Sequence, residues 1–448
     1  MTFWSLARVA AALELPRWAS VDAEVGRIWT DTRTLQPGDV FVALKGERFD
    51  AHDYLPEAVA AGVRAVVVHD AARAAGLGVP VFEVADTLHA LGALGRYRRR
   101  AWPGQLIAVG GSNGKTSTKE LLRAALAGTF TVHATTGNLN NQIGVPLTLL
   151  ALDDAAEVAI VEVGTNEPGE IALLRAITEP DLAVVTCIQE EHLEGFGSLE
   201  GVLAEEVSLL DGITAAVVPA DDAALVSAAR ARAATVITAG LEGGDVQPTA
   251  HGSGEDGRGW VEIDGTRVAI ALYGAHNRRN AMLALAVAQY VGAPLGSAAA
   301  GLAAMTPPSM RSAVTTLGEA LLINDAYNAN PGSMRAALAL LADVAPTRQR
   351  VAVLGTMREL GHASADAHRD IARAALASGA QVVAGIGDFR DALAEVGGDD
   401  PRIVTAADVD DLWPRLAPRL ERSAAILLKA SRGVRLERLL PHLTDWAR

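Results

Sequence analysis

The sequence predicts an α/β protein of three domains built on mainly parallel sheets. Three observations predict it. Short β-branched runs alternate with Ala/Leu-rich stretches along the chain, a pattern that implies strands covered by helices on both faces. One such run, "QLIAV", leads straight into a Gly-rich loop and the helical stretch "STKELLRAALAG". Two proline-containing junctions, "AWPGQ" at residues 101–105 and "AAMTPPSMR" at residues 303–311, interrupt the alternation, because proline disfavours helix at the residue before it. Domains are therefore expected at residues 1–102, 103–308 and 309–448, near the roughly 100–200 residues typical of one domain.

In the first segment, "DVFVALKG", "AVVVH" and "VPVFEV" read as strands, with the Ala-rich "YLPEAVAAGV" as a helix between two of them. The run Arg96, Arg98, Arg99 and Arg100 at its end reads as a solvated helix end rather than an anion site. The middle segment offers "QLIAVGG", "VAIVEVG", "LAVVTCI" and "AAVVPA" as strands, and "HGSGEDGRGW" as a turn within a β excursion. The third repeats the pattern with "ALLINDAY", "RVAVLG", "AQVVAGIG" and "AAILLKAS".

Composition excludes several classes. The formal net charge is −14, against the basic patch of a nucleic-acid binder. An anionic ligand must be met by local cations or helix N-termini. No apolar stretch reaches about 18 residues free of charge, so no membrane span is expected. The N-terminus lacks a signal-peptide layout. The one cysteine, Cys187, permits no intrachain disulfide and is expected in the core, which fits a cytoplasmic location.

The chemistry begins at Gly111, Ser112, Asn113, Gly114, Lys115, Thr116 and Ser117. Glycines let backbone approach a phosphate closely, and the following helix start points N–H groups at it. Lys115 supplies a positive charge and Thr116 a hydroxyl for Mg²⁺. By itself this loop leaves hydrolytic motors, GTPases and kinases open. Glu162, at the end of an apolar strand, is a natural Mg²⁺ ligand where open sheets bind their ligands. His192 again follows a strand. Asn138 and Asn141 lie in a polar loop able to bind amide or carboxylate groups, whereas Asn280, Asp325 and Asn328 sit where helix capping is also a common use.

In order, "GSNGKTSTKE", "GNLNNQIGVPLTLL", "HLEGFGSLEGV", "NDAYNANPGSMRAAL" and "VAVLGTMRELG" resemble the Mur ligase family of peptidoglycan synthesis over essentially the whole chain. The opening "DTRTLQPGDVFVALKGERFDAHDY" looks like that family's uridine-nucleotide domain. The motifs are most similar to the member that joins D-alanyl-D-alanine to UDP-N-acetylmuramoyl-tripeptide. The diaminopimelate signature "DNPR" is absent and "NDAYNANP" is present.

The resemblance implies a central P-loop-type sheet, a C-terminal Rossmann-like domain, and ATP-dependent amide formation through an acyl phosphate. It implies ATP and Mg²⁺ as cofactors, with Lys115, Glu162, His192 and Glu206 as catalytic residues. Thr116, Glu162 and His192 are the expected metal ligands. Asn280, Arg311 and Asp325 are expected at the nucleotide. Thr32, Arg33, Lys45 and Asp50 are expected at the uridine portion, Asn138 and Asn141 at the muramoyl-peptide, and Asn328 and Asn330 at the dipeptide. The enzyme is expected to act as a monomer, with no nucleic-acid partner.

Four positions depart from the pattern. Glu206 stands 14 residues after His192, where the family usually has a carbamylated lysine, and the Glu206 carboxylate is expected to stand in for the carbamate. Glu167 replaces a common His, Thr356 an Asp and Ala430 a Gly, while Lys429, Ser431 and Arg432 keep the rest of their motif.

Overall fold

The computed structural model describes residues 3–16 and 23–448. Two compact units form. Met1–Ala108, Thr131–Thr165 and Glu170–Asp181 make the first; Val109–Phe130, Asn166–Gly169 and Leu182–Arg448 make the second. The strand Gln105–Gly110 runs from one into the other.

The first unit holds a parallel sheet in the order Ile28–Trp29, Val40–Val42, Ala65–Val68, Val81–Glu83. "VFV" and "AVVV" are buried throughout, which is why they read as unbroken apolar runs. Alternate residues serve opposite faces. Val40, Val42 and Val67 pack with Leu91 and Leu94, whereas Phe41, Val66 and Val68 pack with Leu55 and Ala58. A second parallel pair, Val132–Ala134 with Val158–Glu162, lies in the same unit.

Leu91 and Leu94 belong to the helix Thr87–Ala101, whose start Asp86 caps by accepting from the Leu88 and His89 N–H groups. The arginines at its end are not a solvated helix end. Arg98 is 2% exposed; its guanidinium donates to the Leu152 carbonyl at 2.8 Å, pairs with Asp154 and lies over the Phe3 ring. Arg99 is also buried and donates to the carbonyls of Thr178 and Glu179 and to Asp181. Only Arg96 and Arg100, which share Glu179, are more open. Leu152 lies just past the helix Gly144–Leu150, and Thr178 ends the helix Glu170–Thr178. The planar, five-donor guanidinium satisfies carbonyls at and just past helix ends, which is why charge goes inside here.

The second unit contains the parallel ladder Leu182–Val185, Ala215–Pro219, Thr235–Ala239. The expected β excursion is an antiparallel sheet of Ala250–Ser253, Arg258–Ile263 and Thr266–Tyr273, turning at Gly257 with φ +78°. A larger sheet follows in the order Ala313–Leu317, Ala320–Asp325, Ala425–Lys429, Arg350–Leu354, Val382–Ile386, Ile403–Ala406. Its first pair is antiparallel and the others are parallel. The last strand in sequence inserts beside Ala320–Asp325, so the winding direction reverses there, and such reversals are where open α/β sheets bind ligands. Asp325 and Lys429 end their strands in register with each other. Among the described residues, no helix is long and apolar enough to cross a membrane.

Candidate active site

The phosphate-loop candidate lies in the second unit. Its glycines are required twice over. Gly111 has φ +110°, and a Cβ there would lie 2.3 Å from Thr186 Oγ1; Gly114 has φ +84°, and a Cβ would lie 2.9 Å from Asn280 Nδ2. Gly114 starts the helix Lys115–Leu126 without a side-chain cap. The Ser112 N–H donates to the Cys187 carbonyl, and Thr186 Oγ1 donates to the Asn113 carbonyl at 2.6 Å. Cys187 is only partly buried, with its thiol against that same Asn113 carbonyl. The strand ends at Val185, so Cys187 has left the core to run along the loop.

Lys115 turns its ammonium onto the Gly111 and Ser112 carbonyls and stands 3.7 Å from Glu191 Oε1. Burial pushes the Glu191 carboxyl up to about 7, against the pull of Lys115. Glu206 is fully buried, and one of its oxygens accepts the Gly111 N–H at 2.7 Å. Its other oxygen has no hydrogen-bond partner among the described residues. Burial raises its pKa, offset in part by Lys115 and by the Gly111 bond. His192 sits at φ +48°, with Nδ1 2.6 Å from Glu359 Oε2 and Nε2 3.9 Å from Glu191. Burial lowers its pKa, but the Glu359 bond and Glu191 outweigh that and leave it raised. Glu206 keeps one buried carboxylate oxygen uncommitted, and oxygen of that kind suits a hard divalent cation such as Mg²⁺.

The rest of the nucleotide set also lies in the second unit. Asn280 is buried against Gly114 and donates to Asn277. The Arg311 guanidinium covers the Tyr327 ring at 4.2 Å. Asp325 accepts from the Ser312 N–H and pairs at 2.8 Å with Lys429, which is 2% exposed and also donates to the Asn328 carbonyl. The Asn328 side chain turns back to the Ala329 N–H. Asn330 caps the helix Pro331–Val344 and exchanges two amide hydrogen bonds with Asn113.

In the first unit, Glu162 ends its strand fully buried, with Oε1 accepting from Asn140 at 3.0 Å. Asn141 accepts the Ile143 and Gly144 N–H groups at the start of the helix Gly144–Leu150, while Asn138 is exposed. Thr32 opens a short 3₁₀ turn capped by Asp31, which also pairs with the exposed Arg33. Lys45 bridges to Asp50 through the backbone. Asp50 accepts from the His52 backbone and ring and pairs with Arg73. Burial works to raise its pKa, but these bonds hold it down at about 2. Asp50, His52 and His69 bring potential ligand atoms within 4.8 Å of one another. Yet both His52 ring nitrogens are committed, Nδ1 to Asp50 and Nε2 to the His69 N–H, so the trio braces Asp50.

Residue-level reading of the sequence missed Glu191, Gln189, Asn140 and Glu359. Asn140 and Glu359 lie inside motifs already singled out, and Gln189 and Glu191 between two of them, but their partners lie 22 or more residues away along the chain.

Three family models match in succession: "Mur ligase family, catalytic domain" over residues 24–99, "Mur ligase middle domain" over 109–288, and "Mur ligase, glutamate ligase domain" over 310–432. The chain is 36% identical over 441 residues to the UDP-N-acetylmuramoyl-tripeptide–D-alanyl-D-alanine ligase of Escherichia coli K12, covering 95% of each. It is 34% identical to the enzyme of the same name from Bacillus subtilis, covering 93% of this chain and 92% of that one. Among solved structures, MurF from Acinetobacter baumannii superposes with a TM-score of 0.90 at 31% identity, over 99% of each chain. A MurF ligase from Thermotoga maritima in complex with ADP gives 0.83 at 27%, over 94% and 97%.

Proposed function

The chain belongs to the Mur ligase family, and from that membership we propose that it joins D-alanyl-D-alanine to UDP-N-acetylmuramoyl-tripeptide at the expense of ATP. The products are UDP-N-acetylmuramoyl-pentapeptide, ADP and phosphate. The observation that carries this reading is the near full-length match to ligases of that one name.

A peptide carboxylate is a poor electrophile, so it must first be activated. Its oxygen attacks the γ-phosphorus of ATP, the β–γ bridge breaks, and an acyl phosphate forms. The dipeptide amine, having shed its ammonium proton, then attacks the acyl carbon, and the C–O bond to phosphate breaks. Such phosphoryl transfer needs positioning and charge neutralisation more than covalent help from the protein. Lys115 exchanges its loop carbonyls and Glu191 for the β- and γ-phosphates. Thr116, Glu162 and His192 are proposed as ligands for Mg²⁺, which supplies charge neutralisation on the phosphates, and Glu206 adds a further carboxylate to the cation's surroundings. Gly111, Ser112, Asn113, Gly114 and Ser117 line the phosphates, with Asn280, Arg311 and Asp325 toward the nucleoside. Thr32, Arg33, Lys45 and Asp50 hold the uridine end, Asn138 and Asn141 the muramoyl-peptide, and Asn328 the dipeptide. The proposal includes functional domains at residues 1–102, 103–308 and 309–448, in a monomer acting in the cytoplasm.

The test is to supply UDP-N-acetylmuramoyl-tripeptide, Mg²⁺, ATP and one amine at a time, following phosphate release and product mass. D-alanyl-D-alanine is expected to give pentapeptide. A preference for L-lysine, diaminopimelate or glutamate would assign a different amide ligase.

A further inference from the structure

Asn113 is a half-buried residue of the phosphate loop, and all its amide atoms are committed. Its Nδ2 donates to Gln189 Oε1 at 2.6 Å and to Asn330 Oδ1 at 3.0 Å, while its Oδ1 accepts from Asn330 Nδ2 at 3.0 Å. The two asparagines are 217 residues apart and form a reciprocal amide pair. Asn330 is 2% exposed, so its side of the pair is shielded from competing water.

Asn330 has a second task. Its Oδ1 accepts the Ser333 N–H at 2.9 Å, and Ser333 Oγ in turn accepts the Asn330 N–H at 3.0 Å, a capping box that starts the helix Pro331–Val344. A cap needs only the side-chain oxygen. Nδ2 takes no part in it and is spent wholly on the phosphate loop. The approach is close: a Cβ on Gly332 would lie 2.1 Å from Gln189 Oε1. Two residues before Asn330, the Asn328 carbonyl is held by Lys429.

We infer that Asn330 is a positioning residue that clasps the phosphate loop through Asn113, so that nucleotide in the loop and dipeptide at the 325–330 turn each favour the arrangement the other needs. This rests on the ligase reading for the dipeptide. The loop half stands on nucleotide binding alone. Thermodynamic linkage then requires the coupling to act equally in both directions.

Asn330→Ser decides it. Serine is as good an N-cap as asparagine, is uncharged, and is too short to reach Asn113, so helix and melting temperature should survive while the clasp is lost. Affinity for Mg·ADP, read by calorimetry, is expected to fall about tenfold, within the usual range of such couplings. In turnover, KM for ATP and KM for dipeptide should rise together while kcat changes less than about threefold. Asn330→Asp keeps the cap but turns the donor into an anionic oxygen facing Asn113 Oδ1, and should show at least as large a loss of ADP affinity; it also serves if the serine variant folds poorly. Unchanged ADP affinity in folded variants overturns the clasp. A rise in KM for the dipeptide alone also overturns it and returns Asn330 to direct substrate contact. A wild-type protein that binds ADP but makes no pentapeptide defeats the ligase reading instead, and the ADP comparison still decides the clasp.

Discussion

Glu206 presents a charge-bearing group where the family resemblance leads one to expect a lysine that must be carbamylated. Its carboxylate is already buried, one oxygen fixed by Gly111 and the other uncommitted. No carbon dioxide is needed to create it. Added bicarbonate should therefore leave the rate of phosphate release unchanged, and strong stimulation would contradict this role. Asp50 gives a second residue-scale test. Its pKa of about 2 lies below the ordinary 3.8, so the folded state holds fewer protons than the unfolded chain as pH falls through this range. The stabilisation is present above about pH 4 and lost toward pH 2. Asn also caps the turn that follows, so Asp50→Asn reports the charge pairs. It should cost about 1 kcal/mol at pH 7, once solvent screening is allowed for. Urea melts should show the deficit shrinking near about pH 2.5.

At the scale of elements, the loop is defined by backbone that only glycine adopts without strain. Gly114→Ala sets a Cβ against Asn280 at a φ of +84°, costing on the order of 1–3 kcal/mol at the loop. KM for ATP should rise at least about tenfold, alongside a loss of stability of that size in melting. The helix Thr87–Ala101 gives the opposite expectation. Arg98→Met strands the Leu152 carbonyl, at about 1–3 kcal/mol of stability, and should leave KM for ATP untouched. A loss of nucleotide affinity without a stability change would revive the anion site. These two elements also mark what was legible. Strands such as "AVVV" and "AILLK" could be read because strands buried on both faces are apolar without interruption. The loop could be read because strand, glycines, Lys–Thr and helix are contiguous. The burial of Arg98 and Arg99 could not, since the carbonyls they satisfy come from helices some 50 to 80 residues on. The same holds for Asn330, whose capping role is local and visible but whose bond to Asn113 crosses 217 residues.

At the scale of the whole molecule, three family models tile the chain from residue 24 to residue 432, and the proposed reaction needs all three parts. In the proposed scheme one part is to hold the uridine nucleotide, one to activate the carboxyl group with ATP, and one to bring the amine. The departures at Thr356 and Ala430 fall in the third part, so amine choice is where the account is most exposed. Thr356 Oγ1 accepts the Asp388 N–H, and Ala430 is fully buried in the core beneath the sheet. Both are absorbed into the scaffold, and neither opens a new charged contact. The most direct measurement is a competition in one vessel. UDP-N-acetylmuramoyl-tripeptide, ATP and Mg²⁺ are offered equal D-alanyl-D-alanine, L-lysine, diaminopimelate and glutamate, and the products are weighed by mass spectrometry. The account predicts the pentapeptide as the dominant product, with one phosphate released per amide formed. A single-residue adduct, or phosphate release without any amide, would contradict it.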